Sequence, residues 1–142
     1  MREILFRGKR VDNGEWVYGS FCMDAVEQKN GLCGVDGFIR LYDPTAGKMQ
    51  MHEVDRETVG QFTGLTDKNG KKIFEGDIVE GADFTAEDGG YGVVSFVDGA
   101  FEVSGNNVAG TFNENYYGRE FEVIGNIHDN PELLEEVSEY GK

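Results

Sequence analysis

The chain has 142 residues, 39% of them hydrophobic and 12% aromatic, so it can bury a core without disulfide or metal staples and is too apolar for a disordered segment. Its 27 acidic and 13 basic residues leave a net charge of −14, a balance that favours solubility and repels nucleic acid and anionic membranes. The two cysteines, Cys22 and Cys33, do not form a Cys-x-x-Cys pair, no apolar run reaches membrane-span length, and charge follows directly after Phe6, so a cytoplasmic protein with reduced thiols and no membrane contact is expected.

Twenty-one glycines against two prolines, scattered between short apolar runs, predict many tight turns and hence many short strands. Ile4-Leu5-Phe6 opens an extended segment, and Asp12-Asn13-Gly14 turns it into a hairpin with Trp16-Val17-Tyr18. Asn30-Gly31 is a second turn. Phe38 to Tyr42 reads as a strand stopped at Asp43-Pro44, and Met49 to Val54 and Thr58 to Phe62 read as two more. Asp67-Lys68-Asn69-Gly70 is a turn into Ile73-Phe74, Gly76-Asp77 punctuates, and Ile78-Val79 restarts the chain as a strand. After an acidic, glycine-rich loop from Asp83 to Gly90, Tyr91 to Val97 and Ala100 to Val103 flank Asp98-Gly99, the strongest hairpin signal present. Asn113 to Arg119 is expected to be a loop, and Phe121 to Ile124 the last strand.

The tail differs. Asn130 before Pro131 has the form of a helix cap, and Leu133, Leu134 and Val137 make an apolar stripe, which predicts one short amphipathic helix over 131–139. Strands every 8–12 residues with turn signals between them predict a mainly β fold, a short-stranded β-barrel or sandwich with that one C-terminal α-helix. Charge is uneven, with Arg2, Arg7, Lys9 and Arg10 at one end and Asp129, Glu132, Glu135, Glu136 and Glu139 at the other. These read first as two solvated surfaces, and second as a head-to-tail attraction between copies.

No catalytic, cofactor or metal site emerges. Cys22, Cys33, His52 and His128 lack the spacing of a ligand set, and a Cys–His nucleophile on residue types alone has no specificity. The segment Gly64 to Lys72 fails as a phosphate loop, because five residues separate its glycines and Lys72 replaces the magnesium-binding hydroxyl; Lys71 also spoils it as a calcium loop. His128-Asp129 lacks the further histidines that a metal phosphohydrolase needs. The expectation is a non-enzyme with no cofactor, whose candidate interaction surface comprises Arg7, Lys9, Arg10, Tyr116 and Tyr117.

Several segments together carry a resemblance. Phe6-Arg7-Gly8-Lys9 and Trp16-Val17-Tyr18-Gly19 open the chain; TVGQFTGLTDKNGKKIFEGDIV runs from Thr58 to Val79; Ile124-Gly125-Asn126-Ile127 and Asn130-Pro131-Glu132-Leu133-Leu134 close it. In this order and spacing the chain resembles the YopX family over nearly its whole length. The resemblance implies a phage or prophage protein in the cytoplasm of a bacterial host, with no catalytic residues to carry over. It also implies a single unit over 1–142, made of an N-terminal β-hairpin lobe (1–60), a C-terminal half similar to SH3-like barrels (61–128) and the helix. The leading expectation is a protein-interaction module that contacts a host or phage protein and forms a homo-oligomer through glycine-rich strand edges. Alternatives are an acidic nucleic-acid mimic, a nucleic-acid binder using the basic N-terminal cluster with Lys68, Lys71 and Lys72, and a cryptic enzyme.

Overall fold

The Asn13-Gly14 turn folds strand β1 (Phe6–Arg10) back on β2 (Trp16–Glu27), in the register Lys9↔Trp16 and Arg7↔Tyr18. Two backbone bonds close the turn, from Gly14 N–H to the Arg10 carbonyl and from Arg10 N–H to the Glu15 carbonyl, both 2.9 Å. A computed structural model describes residues 3–27, 31, 33–81, 90–105, 108–111 and 121–133. Two compact units divide the chain, Met1–Gln61 and Phe62–Lys142.

In the first unit β2 changes partner midway. Residues 16–19 pair with β1, while residues 20–27 pair antiparallel with β3 (Cys33–Asp43). Gly19 stands at the exchange, and a Cβ there would run into the Arg40 carbonyl oxygen, so no larger residue fits this approach. Strand β3 pairs with the first part of β4 (Lys48–Thr66), and β4 returns to β1, so the pairings β1–β2–β3–β4–β1 form a barrel-like ring. Cross-strand partners share a face. One face turns Ile39 and Val54 into the buried interior, where the Phe6 and Phe21 rings also meet at 6.0 Å between centroids.

The sequence predicts two strands over 49–54 and 58–62, whereas the chain forms one strand with an irregularity between them. On β1 the register steps from Arg7↔Gly60 to Lys9↔Asp55, leaving surplus residues on β4. The Thr58 hydroxyl fills that gap. It accepts the Lys9 N–H at 2.9 Å and donates to the Asp55 carbonyl at 2.6 Å. The polar run Asp55-Arg56-Glu57 that breaks the apolar pattern is therefore a bulge, not an end.

In the second unit the end of β4 pairs with β5 (Lys72–Phe74), and five strands form an antiparallel sheet in the order β10-β6-β7-β8-β9. These are β6 (Asp77–Gly81), β7 (Gly90–Val97), β8 (Ala100–Gly105), β9 (Val108–Thr111) and β10 (Glu122–Asn126). The β7–β8 hairpin is the one read from Asp98-Gly99, and both residues take positive φ, 52° and 84°, as a two-residue primed turn requires. Ile73, Val79, Val94, Val103 and Phe121 form the core cluster, with Leu65, Phe101 and Val123 packed against it. Each such burial contributes roughly 1.5–3 kcal/mol before entropy is set against it.

Strand β9 is not foreseen by the sequence reading. The loops expected over 83–90 and 113–119 lie outside the described residues, apart from Gly90 at the start of β7. Of the helix expected over 131–139, residues 131–133 are helical and the remainder lies outside the described residues. The Asn130 side chain does not cap that helix as the sequence suggests. Its Oδ1 accepts the Asn126 N–H at 3.2 Å, while Asn126 Oδ1 accepts the N–H groups of His128 and Asp129. These two asparagines lock the 126–130 turn to itself.

Candidate functional site

Alternation along β1 places Arg7 and Lys9 on one face, and the β1–β2 register sets Tyr18 and Trp16 opposite them. Both cations lie over the single tryptophan. The Arg7 guanidinium carbon is 4.6 Å from the Trp16 ring centroid and the Lys9 ammonium 5.6 Å. Arg7 is only 5% exposed, so it belongs to the packing of this face rather than to an open surface. Arg10 projects from the other face and makes a two-pronged bond to Asp12, Nε to Oδ1 at 2.9 Å and Nη2 to Oδ2 at 2.6 Å. That bond holds the Asp12 carboxyl below the usual carboxylate range and Arg10 above its ordinary value. The structure thus brings Arg7 and Lys9 together around Trp16, sets Arg10 apart in a local ion pair, and leaves Tyr116 and Tyr117 outside the described residues.

Besides Ile4, Val11, Met23 and Val35, exposed large apolar side chains among the described residues gather in two places. The outer face of the first unit carries Tyr18, Tyr42, Met49 and Met51, with Tyr42 at 59% exposure. The registers Ser20↔Arg40, Arg40↔Met51 and Tyr42↔Met49 put these residues on one face together with Arg40. In the second unit the tip of the β7–β8 hairpin presents Phe96 and Val97, the former 51% exposed and edge-on to Phe101 at 5.1 Å. Sequence reading missed both sets. Alternation alone could have placed Tyr42, Met49 and Met51 on one face, but not which face is turned inward.

The segment 67–72 plays a structural part. Asp67 Oδ1 accepts the N–H groups of Asn69 and Lys71 at 2.9 Å each, and Oδ2 accepts the N–H of Val123 at 3.0 Å. Lys68 N–H donates to the Phe121 carbonyl, and Lys68 Nζ lies 3.5 Å from Glu122. The turn is thereby fastened along β10, and the N–H of Val123 meets a carboxylate. Burial pushes the Asp67 carboxyl up, but the bonds from Val123, Lys71 and Asn69 and the charge of Lys71 outweigh it, and the net displacement is downward. Lys72 Nζ rests 4.9 Å from the Phe62 ring centroid. Of the three lysines weighed for nucleic acid, two are thus engaged within the unit.

Cys22 is half-buried opposite Phe38, and His52 holds Gln50 Oε1 at 3.2 Å from its Nε2. His128 lies in the turn before Pro131, and the Cys33 side chain lies outside the description. Among the described residues no group of three or more His, Cys, Asp or Glu side chains could hold a metal ion, and no helix is long and apolar enough to cross a membrane.

A family model described as YopX protein matches residues 5–135. Among solved structures, the chain is similar to protein EF1440 from Enterococcus faecalis, at 26% identity and a TM-score of 0.50, over 94% of this chain and 99% of that one. It is also similar in fold to protein yopX from Bacillus subtilis, at 21% identity and a TM-score of 0.53, over 94% of this chain and 97% of that one. No curated protein matches the chain.

Proposed function

The chain belongs to the YopX family, and we propose that it is a phage- or prophage-encoded, non-enzymatic interaction module that binds a host or phage protein in the cytoplasm of a bacterial host. The observation that carries this reading is the β7–β8 hairpin tip. A two-residue turn fixes the strands, the Phe96–Phe101 pair stiffens them, and Phe96 and Val97 stand in solvent at the end. Exposed aromatic side chains on a rigid support are the anchors that protein interfaces use. The same reading takes the second unit to be similar to an SH3-like barrel, since small barrels commonly serve as binding modules, although a fold alone fixes no function.

The test is capture from a nuclease-treated bacterial lysate by tagged wild-type protein and by a Phe96→Ser/Val97→Ser variant, read by mass spectrometry. One dominant protein retained by the wild type and lost with the variant is expected. Material that disappears with nuclease would overturn the reading in favour of nucleic acid. The net charge of −14 favours a second reading, an acidic mimic that occupies a nucleic-acid-binding protein. In that case capture would survive the hairpin variant and be displaced by added DNA.

A further inference from the structure

We infer that the open edge of β2, over residues 20–26, takes up an extended segment of a partner protein as an added strand, and that this segment alternates apolar with basic side chains. The inference is independent of the hairpin contact proposed above. It starts from the change of partner along β2. Residues 16–19 pair with β1, and from Ser20 onward the strand pairs with β3 instead. Among the described residues no strand continues the β1 side of β2 past Gly19. Such an edge presents the N–H and C=O groups of alternate residues and is a template for another strand. Proteins commonly blunt an edge with lysine, proline or a bulge. Residues 20–26 contain neither lysine nor proline, and their register with β3 runs without a break from Ser20↔Arg40 to Val26↔Gly34. The open stretch is about 20 Å long, the length of an ordinary strand.

The two faces of this stretch define the segment that fits it. On one face Met23 and Val35 are each 49% exposed and lie diagonally across the strand pair, beside the exposed Ala25. They share the parity of Ile39, which is buried, so an apolar stripe runs on past the interior of the unit. On the other face Asp24 and Asp36 stand directly opposite each other, and like charges in that position repel. Among the described residues neither carboxylate has a hydrogen bond or an ion pair. Glu53 lies on the same face, across from Phe38, so this face is net acidic even with Arg40 on it. That excludes a second copy of the face and selects a cation. An added strand turns its side chains alternately to the same two faces. Apolar side chains beside Met23 and Ala25 extend the stripe. A lysine or arginine beside Asp24, with about 5 Å between Cβ atoms, relieves the repulsion. Main-chain bonds supply the affinity of such a contact, and the alternation supplies its selectivity.

The experiment reads fluorescence anisotropy of labelled peptides with the full chain at about 0.15 M sodium chloride. The probe is a peptide of four Lys-Val repeats. A net charge of −14 attracts any cation, so the control has the same composition with its lysines in one block. The repeat peptide is expected to bind at least tenfold more tightly than the block peptide. Two further probes carry N-methyl groups on the backbone of every lysine or of every valine. One of them is expected to lose binding and the other to keep it, because alternate N–H groups face the β2 edge. Asp24→Lys is expected to weaken the lysine peptide at least tenfold and to bind a Glu-Val repeat peptide instead. Glu57→Lys makes the same charge change at another exposed site and is expected to weaken it less than threefold. The Phe96→Ser/Val97→Ser variant is expected to bind the peptide as the wild type does. If Asp24→Lys misfolds, the methylated and block peptides decide the matter on the wild type. The inference is overturned by a wild type that binds no repeat peptide, by equal binding of the block peptide, or by two methylated peptides that both bind like their parent. Equal effects of Asp24→Lys and Glu57→Lys, or loss of binding with the hairpin variant, would overturn it as well.

Discussion

At Asp67 one carboxylate meets three backbone N–H groups, two from its own turn and one from Val123 on β10. Removing the acceptor takes a charged partner from three part-buried N–H groups, so Asp67→Ala is expected to cost about 2 kcal/mol in urea unfolding. Asp67→Asn keeps one acceptor oxygen but turns an NH2 group toward a donor, and should cost nearly as much. The carboxyl titrates lower in the folded protein than its ordinary value of about 3.9. Its contribution is therefore fully present above about pH 4 and is lost as pH falls through the folded value. Stability measured between pH 6 and pH 3 should fall more steeply for the wild type than for Asp67→Asn, and parallel curves would refute that role. Trp16 is the corresponding residue in the first unit. With Arg7 and Lys9 over its ring, Trp16→Ala is expected to cost about 2 kcal/mol in the same unfolding assay.

The elements read most readily from the sequence are those whose physics is local. Asp98-Gly99 takes the paired positive φ that few other residues adopt, Gly14 supplies the single positive φ of the longer β1–β2 turn, and each lies where a hairpin forms. Gly99 at φ 84° makes this testable, because a Cβ there is strained even with open space around it. Gly99→Ala is expected to lower stability by about 1–2 kcal/mol and to speed amide exchange in β7 and β8 before other strands. What the sequence hides is set by register. Arg7 reads as a surface cation until pairing with β2 brings Trp16 beneath it. Asp67 reads as a turn residue, and its bond to Val123 spans 56 positions that no local pattern connects. The run Asp55-Arg56-Glu57 reads as a gap between strands because a bulge and a loop share the same polar composition. Strand β9 is short and contains Gly110, which hides it in turn-like composition. The exposed set Tyr18, Tyr42, Met49 and Met51 is legible as alternation, but apolar alternation is the mark of a core face, and only the closed ring turns the other face inward.

At the scale of the whole molecule the dominant quantity is charge. A net charge of −14 on 142 residues means that folding gathers like charges that the unfolded chain holds further apart. Two ion pairs that oppose this are weak. Arg10–Asp12 is local and Lys68–Glu122 is partly exposed, so each contributes little. Repulsion should therefore exceed attraction, and salt should stabilise the fold by shortening the reach of charge from about 30 Å at 0.01 M to about 8 Å at 0.15 M. Thermal melts across that range of sodium chloride are expected to show Tm rising by about 2–5 °C. Chloride is the appropriate anion, because sulfate strengthens apolar burial on its own account. The melts belong at dilute protein, so that any self-association does not add a concentration-dependent term. A Tm that fell with salt would mean that attractive pairs outweigh the excess charge. The acidic surface would then be internally compensated, and the acidic-mimic reading would lose the uniform negative field on which it depends.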